Sequence, residues 1–322
     1  MNHTEHFTLG TGHGYRGLLQ VGLFNAMPDA ALRATEIQFA RLLKDAAGAL
    51  DVRLRLFSPA SLPREEETRA RMEGFYEDAG LLPAAGLDAL IVAAPDGDAP
   101  DAAWRDDLAA LLDWAQAASL AAIFSGGAVP AALACLDGIA SRPLAHPLFG
   151  VYSGQRVADD SLFFHTAWDA GVPHIRDHTF AGADLEARGY RVLSRLADDS
   201  VDIFARETAG HFLFLQGHPE HDDGALGRAY LRAVARFRNG EIAARPPVPR
   251  NYFDRLTESR LAALPEGTGL SGHAAIVQAA RPLQSWRGQA VRLFANWLTR
   301  TAAAKMRRAA SRAVHVRRRR VP

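Results

Sequence analysis

The chain has 322 residues, 48% hydrophobic and 23% charged, enough to bury a full core in one large domain or two small ones. Its net charge is +1, but the last 22 residues hold eight basic groups and no acid (Lys305, Arg307, Arg308, Arg312 and Arg317 to Arg320), so residues 1–300 stand at −7. One cysteine, Cys135, excludes an internal disulfide framework and a thiolate metal cluster, and no run of about 18 uncharged apolar residues is long enough to span a bilayer.

The first 14 residues are polar, carry three histidines and lack the apolar centre of a signal peptide, so a cytoplasmic protein is expected. Short apolar runs then alternate with longer Ala/Leu/Arg stretches of helical period, the pattern of an α/β fold with a largely parallel sheet. Strands are expected at Leu18 to Phe24, Val52 to Phe57, Ala89 to Ala94, Leu120 to Ser125, Tyr190 to Leu196, Val201 to Arg206 and Phe212 to Gln216. Helices are expected over Ala30 to Ala47, with Asp29 as N-cap, over Trp104 to Ala118, and over Ala128 to Leu136, where Cys135 reads as a small buried hydrophobe. Prolines between Ala243 and Pro249 break the pattern ahead of an irregular arm and two helices. The expected organisation is a polar segment over 1–14, an α/β domain over 15–245, an arm with helices over 246–300, and a solvated basic tail over 301–322. A body at −7 opposes nucleic-acid binding by that tail.

In open α/β sheets, sites form at the carboxyl ends of strands. Two segments there carry candidate chemistry. Ser125-Gly126-Gly127 lies where an apolar strand turns into a helix, the geometry of a nucleophile elbow, with helix amides able to hold an oxyanion or another anionic group. Two glycines also suit an ordinary strand-to-helix turn. In the second segment, His218-Pro219-Glu220, a carboxylate two residues from an imidazole can fix its tautomer and support it as a base. His221, Asp222 and Asp223 follow, but adjacent side chains on one loop seldom converge on an ion, so no metal is expected.

These residues resemble the homoserine O-acyltransferases of the class I glutamine-amidotransferase-like fold. The resemblance runs through Asn25-Ala26-Met27-Pro28, Ala34-Thr35-Glu36-Ile37-Gln38, Asp113-Trp114, Leu136-Asp137-Gly138-Ile139, Phe149-Gly150-Val151-Tyr152, Pro173-His174, Gly217-His218-Pro219-Glu220, Asn251-Tyr252-Phe253, Ser285-Trp286-Arg287 and Asn296-Trp297-Leu298. It implies a flavodoxin-like parallel sheet flanked by helices. It also implies acyl transfer from a coenzyme A co-substrate to an amino-acid hydroxyl, in the service of methionine biosynthesis, with no resident cofactor. Family members are commonly dimers, a property on which the sequence itself is silent.

Carried over residue by residue, the resemblance makes His218 the base, Glu220 its orienter and Arg232 the group that holds the amino-acid substrate. Gly127 falls in the substrate-binding elbow and Gly97 at the position that influences acyl-donor choice, where a glycine is compatible with succinyl. The family's nucleophilic cysteine corresponds to Gly126, a pocket lysine to Pro147 and a pocket serine to Ile175, so three polar groups are missing. Three readings follow: Ser125 replaces the thiol, His218 drives direct transfer without a covalent intermediate, or the chain is a non-catalytic paralogue that binds a ligand or partner.

Overall fold

The computed structural model describes residues 8–9, 17–95, 102–207, 210–265, 267–283 and 286–318. Its centre is built by apolar runs too short for helices and buried on both faces, as parallel strands covered by helices must be. Strands β1 (Thr8–Leu9), β2 (Leu19–Asn25), β3 (Val52–Phe57), β4 (Tyr76–Glu77), β5 (Ala89–Ala94) and β6 (Ala121–Gly126) come first. They are followed by β7 (Arg142–Tyr152), β8 (Gly154–Arg156), β9 (Val172–Thr179), β10 (Tyr190–Leu196), β11 (Val201–Glu207) and β12 (His211–Leu215).

The main sheet runs β1-β3-β2-β5-β6-β12-β11-β10-β8, with β4 also on β3. Strands β3, β2, β5, β6 and β12 are mutually parallel, and β11, β10 and β8 extend the sheet antiparallel. The helices are α1 (Asp29–Ala47), α2 (Glu66–Met72), α3 (Ala102–Ala117), α4 (Ala128–Asp137), α5 (Gly182–Glu186), α6 (Ala225–Arg238), α7 (Arg255–Ala262), α8 (Leu270–Ala279) and α9 (Arg287–Arg318). One core, on the side of α1 and α9, joins Val21, Leu23 and Phe39 to Leu293, Phe294 and Trp297. The other, under α3 and α4, joins Leu90, Val92 and Phe124 to Leu108, Leu112 and Leu133. No helix among the described residues is long and apolar enough to cross a membrane.

All seven expected strands are present, to within about one residue at their ends. Four expectations need correction. Asp29 is the first helical residue and Pro28 the N-cap; the Asp29 carboxylate instead takes the Arg64 guanidinium at 2.9 Å and the Glu65 amide at 2.8 Å. Cys135 is exposed, because the buried face of α4 (Ala128, Val129, Ala131, Ala132, Leu133) ends before the last turn. Among the described residues three helices follow the arm, not two. Residues 301–318 continue α9 instead of forming a frayed tail, and the start of this stretch is packed: Thr301 and Ala302 are buried, and the Lys305 ammonium donates to the Leu18 carbonyl at 2.6 Å and to Asp88 at 2.7 Å, while Met306, Arg307 and residues 309–311 are exposed.

A second sheet, β7 with β9, has no clear counterpart in the expected strands. Pro143 and Pro147 lie on β7 and a register shift separates Pro143 from Leu148, so no simple alternation marks it. The arm locks onto this sheet: Val151 donates to the Arg250 carbonyl and Arg250 donates to that of Phe149, both at 2.9 Å. Asn251, at φ 55°, donates its side-chain amide to the Val151 carbonyl at 3.0 Å. Asparagine tolerates that left-handed backbone better than most residues.

Gly150 is the residue that permits this contact, since a Cβ there would stand 2.2 Å from the Arg250 carbonyl oxygen. Gly150→Ala is expected to destabilise the chain by at least about 2 kcal/mol, read as a lowered urea midpoint; an unchanged midpoint would show that the arm yields freely.

Candidate active site

The parallel register that pairs Ser125 of β6 with Leu215 of β12 fixes the geometry of the site, because the loops leaving both strands must rise side by side. At the end of β6, Gly126 adopts φ 60°, the left-handed conformation that glycine takes without strain. Gly127 is the N-cap of α4, and Pro130 sits in the first turn, where no intrahelical amide partner is lost. The Gly127 amide donates to the Ala94 carbonyl at 3.1 Å, which commits it to the sheet. Anion-binding capacity at this elbow therefore rests on the first-turn amides of α4.

Beyond β12, the His218 amide donates to the Pro173 carbonyl at 2.8 Å, turning the chain back under β9. His218 and Glu220 are both buried, with Nδ1 of the imidazole 2.9 Å from Oε1 of the carboxylate. Burial pushes the Glu220 pKa up, but the charge and hydrogen bond of His218 outweigh that and hold it below the usual carboxylate range. An ionised Glu220 can only accept, so Nδ1 carries the proton and the Nε2 lone pair is the basic one. The loop is pinned from outside: Trp286 Nε1 donates to the His221 carbonyl at 2.8 Å and the Tyr252 hydroxyl to that of Asp223 at 2.5 Å.

Ser125 is buried, and its hydroxyl donates to the same Glu220 oxygen at 3.0 Å. It thus supports the carboxylate rather than pairing with the base as an activated nucleophile would. No thiol substitutes for it. Cys135 lies nine residues beyond Gly126, roughly 13 Å along the helix axis, and partial desolvation of its thiol, on a residue otherwise exposed, raises its pKa.

His221 was singled out in the sequence only as a potential metal ligand. Here its ring stacks on that of His218, with centroids 4.3 Å apart and planes 5° from parallel. Burial, and then the His218 charge, lower its pKa to about 3, so it stays neutral near pH 7. His218, Glu220 and His221 bring potential ligand atoms within 4.8 Å of one another. Parallel rings, however, aim their in-plane lone pairs side by side, and ligation of a shared ion would require one ring to turn.

Arg232 lies on the exposed face of α6, makes no ion pair among the described residues, and acts electrostatically on His221. Although its side chain reaches solvent, partial desolvation of the guanidinium and then the neighbouring Arg228 hold its pKa below the ordinary value. Pro147 is exposed on β7, whereas Ile175 is half-buried on β9 opposite Phe149 and packs against the core. Gly97 lies outside the described residues.

A family model described as homoserine O-succinyltransferase matches residues 13–306. The chain belongs to the homoserine O-succinyltransferase family. Its relatives include proteins of that name from Rhodopseudomonas palustris, 40% identical over 294 residues covering 87% of each chain, and from Methylorubrum extorquens, 40% identical over 290 residues covering 87% of this chain and 86% of the other. Among solved structures, a glutamine amido transferase from Methylobacillus Flagellatus aligns with 87% of this chain and 94% of its own, at 13% identity and a TM-score of 0.49. This member of the homoserine O-succinyltransferase family thus combines a buried imidazole–carboxylate pair with a glycine elbow.

Two measurements bear on that pair. Ser125→Ala leaves a buried carboxylate oxygen with one donor fewer and is expected to lower stability by about 1–3 kcal/mol, read from urea unfolding; an unchanged midpoint would place that hydroxyl elsewhere. Because Glu220 is held below its ordinary value of 4.5, its stabilisation is present above that pH and is lost as pH falls through the lower folded value. The thermal midpoint of Glu220→Gln should therefore lie below that of the wild type at neutral pH and converge with it in acid, whereas a gap independent of pH would contradict the assignment.

Proposed function

We propose that the chain transfers an acyl group from a coenzyme A thioester to the hydroxyl of an amino acid or a similar acceptor, without an acyl-enzyme intermediate. The observation that carries this reading is the buried His218–Glu220 pair, which keeps a base oriented beside an elbow that has no nucleophilic side chain. The printed names of the relatives make homoserine the first acceptor and a succinyl thioester the first donor to test. Gly97, at the donor-choice position, is compatible with succinyl.

In this scheme His218 Nε2 takes the proton of the acceptor hydroxyl as its oxygen bonds to the thioester carbonyl carbon. The tetrahedral oxyanion is met by the first-turn amides of α4, above the turn that Gly126 and Gly127 make. Collapse breaks the carbon–sulfur bond, and the proton on His218 passes to the departing thiolate. Glu220 stabilises the imidazolium in between, an arrangement that typically contributes 10²–10⁴-fold. Arg232 supplies a cation for the acceptor carboxylate. The Ser125 hydroxyl, engaged with Glu220, stays outside the bond changes.

A second reading, a ligand-binding paralogue without turnover, is favoured by one observation: the Gly127 amide is turned to the Ala94 carbonyl and away from any oxyanion. Release of free thiol from succinyl- and acetyl-coenzyme A, with homoserine and a panel of other hydroxy amino acids, separates the two. Direct transfer predicts release that His218→Ala reduces at least about 100-fold and that Ser125→Ala largely retains. Equal rates in wild type and His218→Ala would refute it. Silence of the wild type, with ligand-induced stabilisation and gain of activity in Gly126→Cys, would establish the binding paralogue.

A further inference from the structure

Beneath the base segment lies a buried polar group that this scheme does not use. His174 of β9 is fully buried, as is Asp202 of β11, and Arg176 is almost so. Arg176 Nε donates to His174 Nδ1 at 3.3 Å, so that nitrogen is the unprotonated one and the ring proton sits on Nε2. His174 Nε2 faces Asp202 Oδ1 at 3.5 Å without a hydrogen bond between them, and neither atom has a hydrogen-bond partner elsewhere. The other Asp202 oxygen is taken by Trp168 Nε1 at 2.8 Å and by the Ser194 hydroxyl at 2.6 Å. A neutral imidazole therefore stands between a buried guanidinium and a buried carboxylate.

The chain that carries the base rests on this group at consecutive residues. Gln216 donates its amide to the Asp202 carbonyl at 3.1 Å, and its side-chain oxygen accepts from Arg176 Nη1 at 3.0 Å. Gly217 lies directly on the imidazole: a Cβ there would stand 2.8 Å from His174 Nε2, 2.9 Å from Cε1 and 2.7 Å from Val172 Cγ2. His218 donates its amide to the Pro173 carbonyl at 2.8 Å. Segment 216–218 is thereby seated on β9 and the start of β11 by its backbone, and His174 is the part of the seat in contact with the residue next to the base.

We propose that His174 is a positioning residue for His218: its Nε2–H edge, held by the Arg176 hydrogen bond behind and facing the Asp202 carboxyl in front, supports Gly217 and sets where the His218 ring stands against Glu220. This rests on the reading of His218 as the base. The groups that face His174 are Arg176 on its own strand, Asp202 on β11, His218 after β12 and Tyr152 of β7, whose ring meets it edge-on at 5.9 Å. Burial, then the charges of Arg176 and His218, push its pKa well below the ordinary value, in keeping with a ring that stays neutral.

The test is histidine-ring NMR on the isotopically labelled full chain, with resonances assigned through His174→Gln and His218→Gln. In the wild type, His174 should show the Nε2–H tautomer and no titration between about pH 5 and 8; a titrating ring or an Nδ1–H tautomer overturns the proposal. Gly217→Ala and His174→Leu, each checked for folding by thermal unfolding, should displace the His218 titration midpoint by about half a pH unit or more. His174→Gln, which returns an N–H near the Nε2 position, should recover at least half of that displacement. An unmoved midpoint in the folded variants, or identical behaviour of Leu and Gln, overturns the proposal by reducing His174 to packing. If no variant folds, the wild-type tautomer decides alone. These measurements need no turnover, so an absence of thiol release would count against the acyl-transfer reading and leave this one standing.

Discussion

Strand register between β6 and β12 is the constraint from which the site follows. Parallel pairing puts Ser125 level with Leu215, so two loops separated by about ninety residues leave the sheet at the same height. A slip of one residue would turn every side chain of β12 to the opposite face and would part Glu220 from Ser125. The slip is resisted by burial on both sides, since Phe212 and Phe214 pack on Phe124 on one face while Leu213 and Leu215 enter the other core. The catalytic candidates thus owe their proximity to hydrophobic burial, and their mutual hydrogen bonds refine a meeting already arranged.

The parallel sheet was legible in the sequence because buried parallel strands are nearly continuous apolar runs, as Ala89 to Ala94 is, while Val52 to Phe57, nearer the sheet edge, carries Arg53 and Arg55 between its apolar residues and is buried only at its ends. The β7–β9 sheet was not, because prolines and a register shift remove the two-residue period on β7. Cys135 misled for a related reason: its neighbours are apolar, but the helix turns it to solvent in the last turn, where hydrophobicity averaged over a window loses direction.

For the site, the sequence identified His218 and Glu220 as a pair through their spacing and the stiff proline between them. It did not reveal that Ser125 bonds to Glu220, that His221 stacks on His218, or that His174 lies beneath Gly217. All three depend on contacts between distant strands. Several motifs that carried the resemblance prove to hold structure in place. Gly138, at φ 64°, caps α4, and Asp137 takes the Tyr190 hydroxyl at 2.6 Å, while Tyr252 and Trp286 clamp the loop of the base. Recurrence of such a motif therefore reports fold more directly than chemistry.

The long closing helix bears on how the chain is made. Phe39 of α1 meets Phe294 of α9, and Lys305 reaches back to Leu18, so the apolar face of α1 is covered by a segment synthesised about 250 residues later. At about 5–20 residues per second, that face waits roughly 10–50 s for its cover. During that interval β2, β3 and α1 must either hold a half-built core open or borrow protection from a chaperone. Premature termination anywhere before α9 would release a product with a hydrophobic flank and no means of closing it.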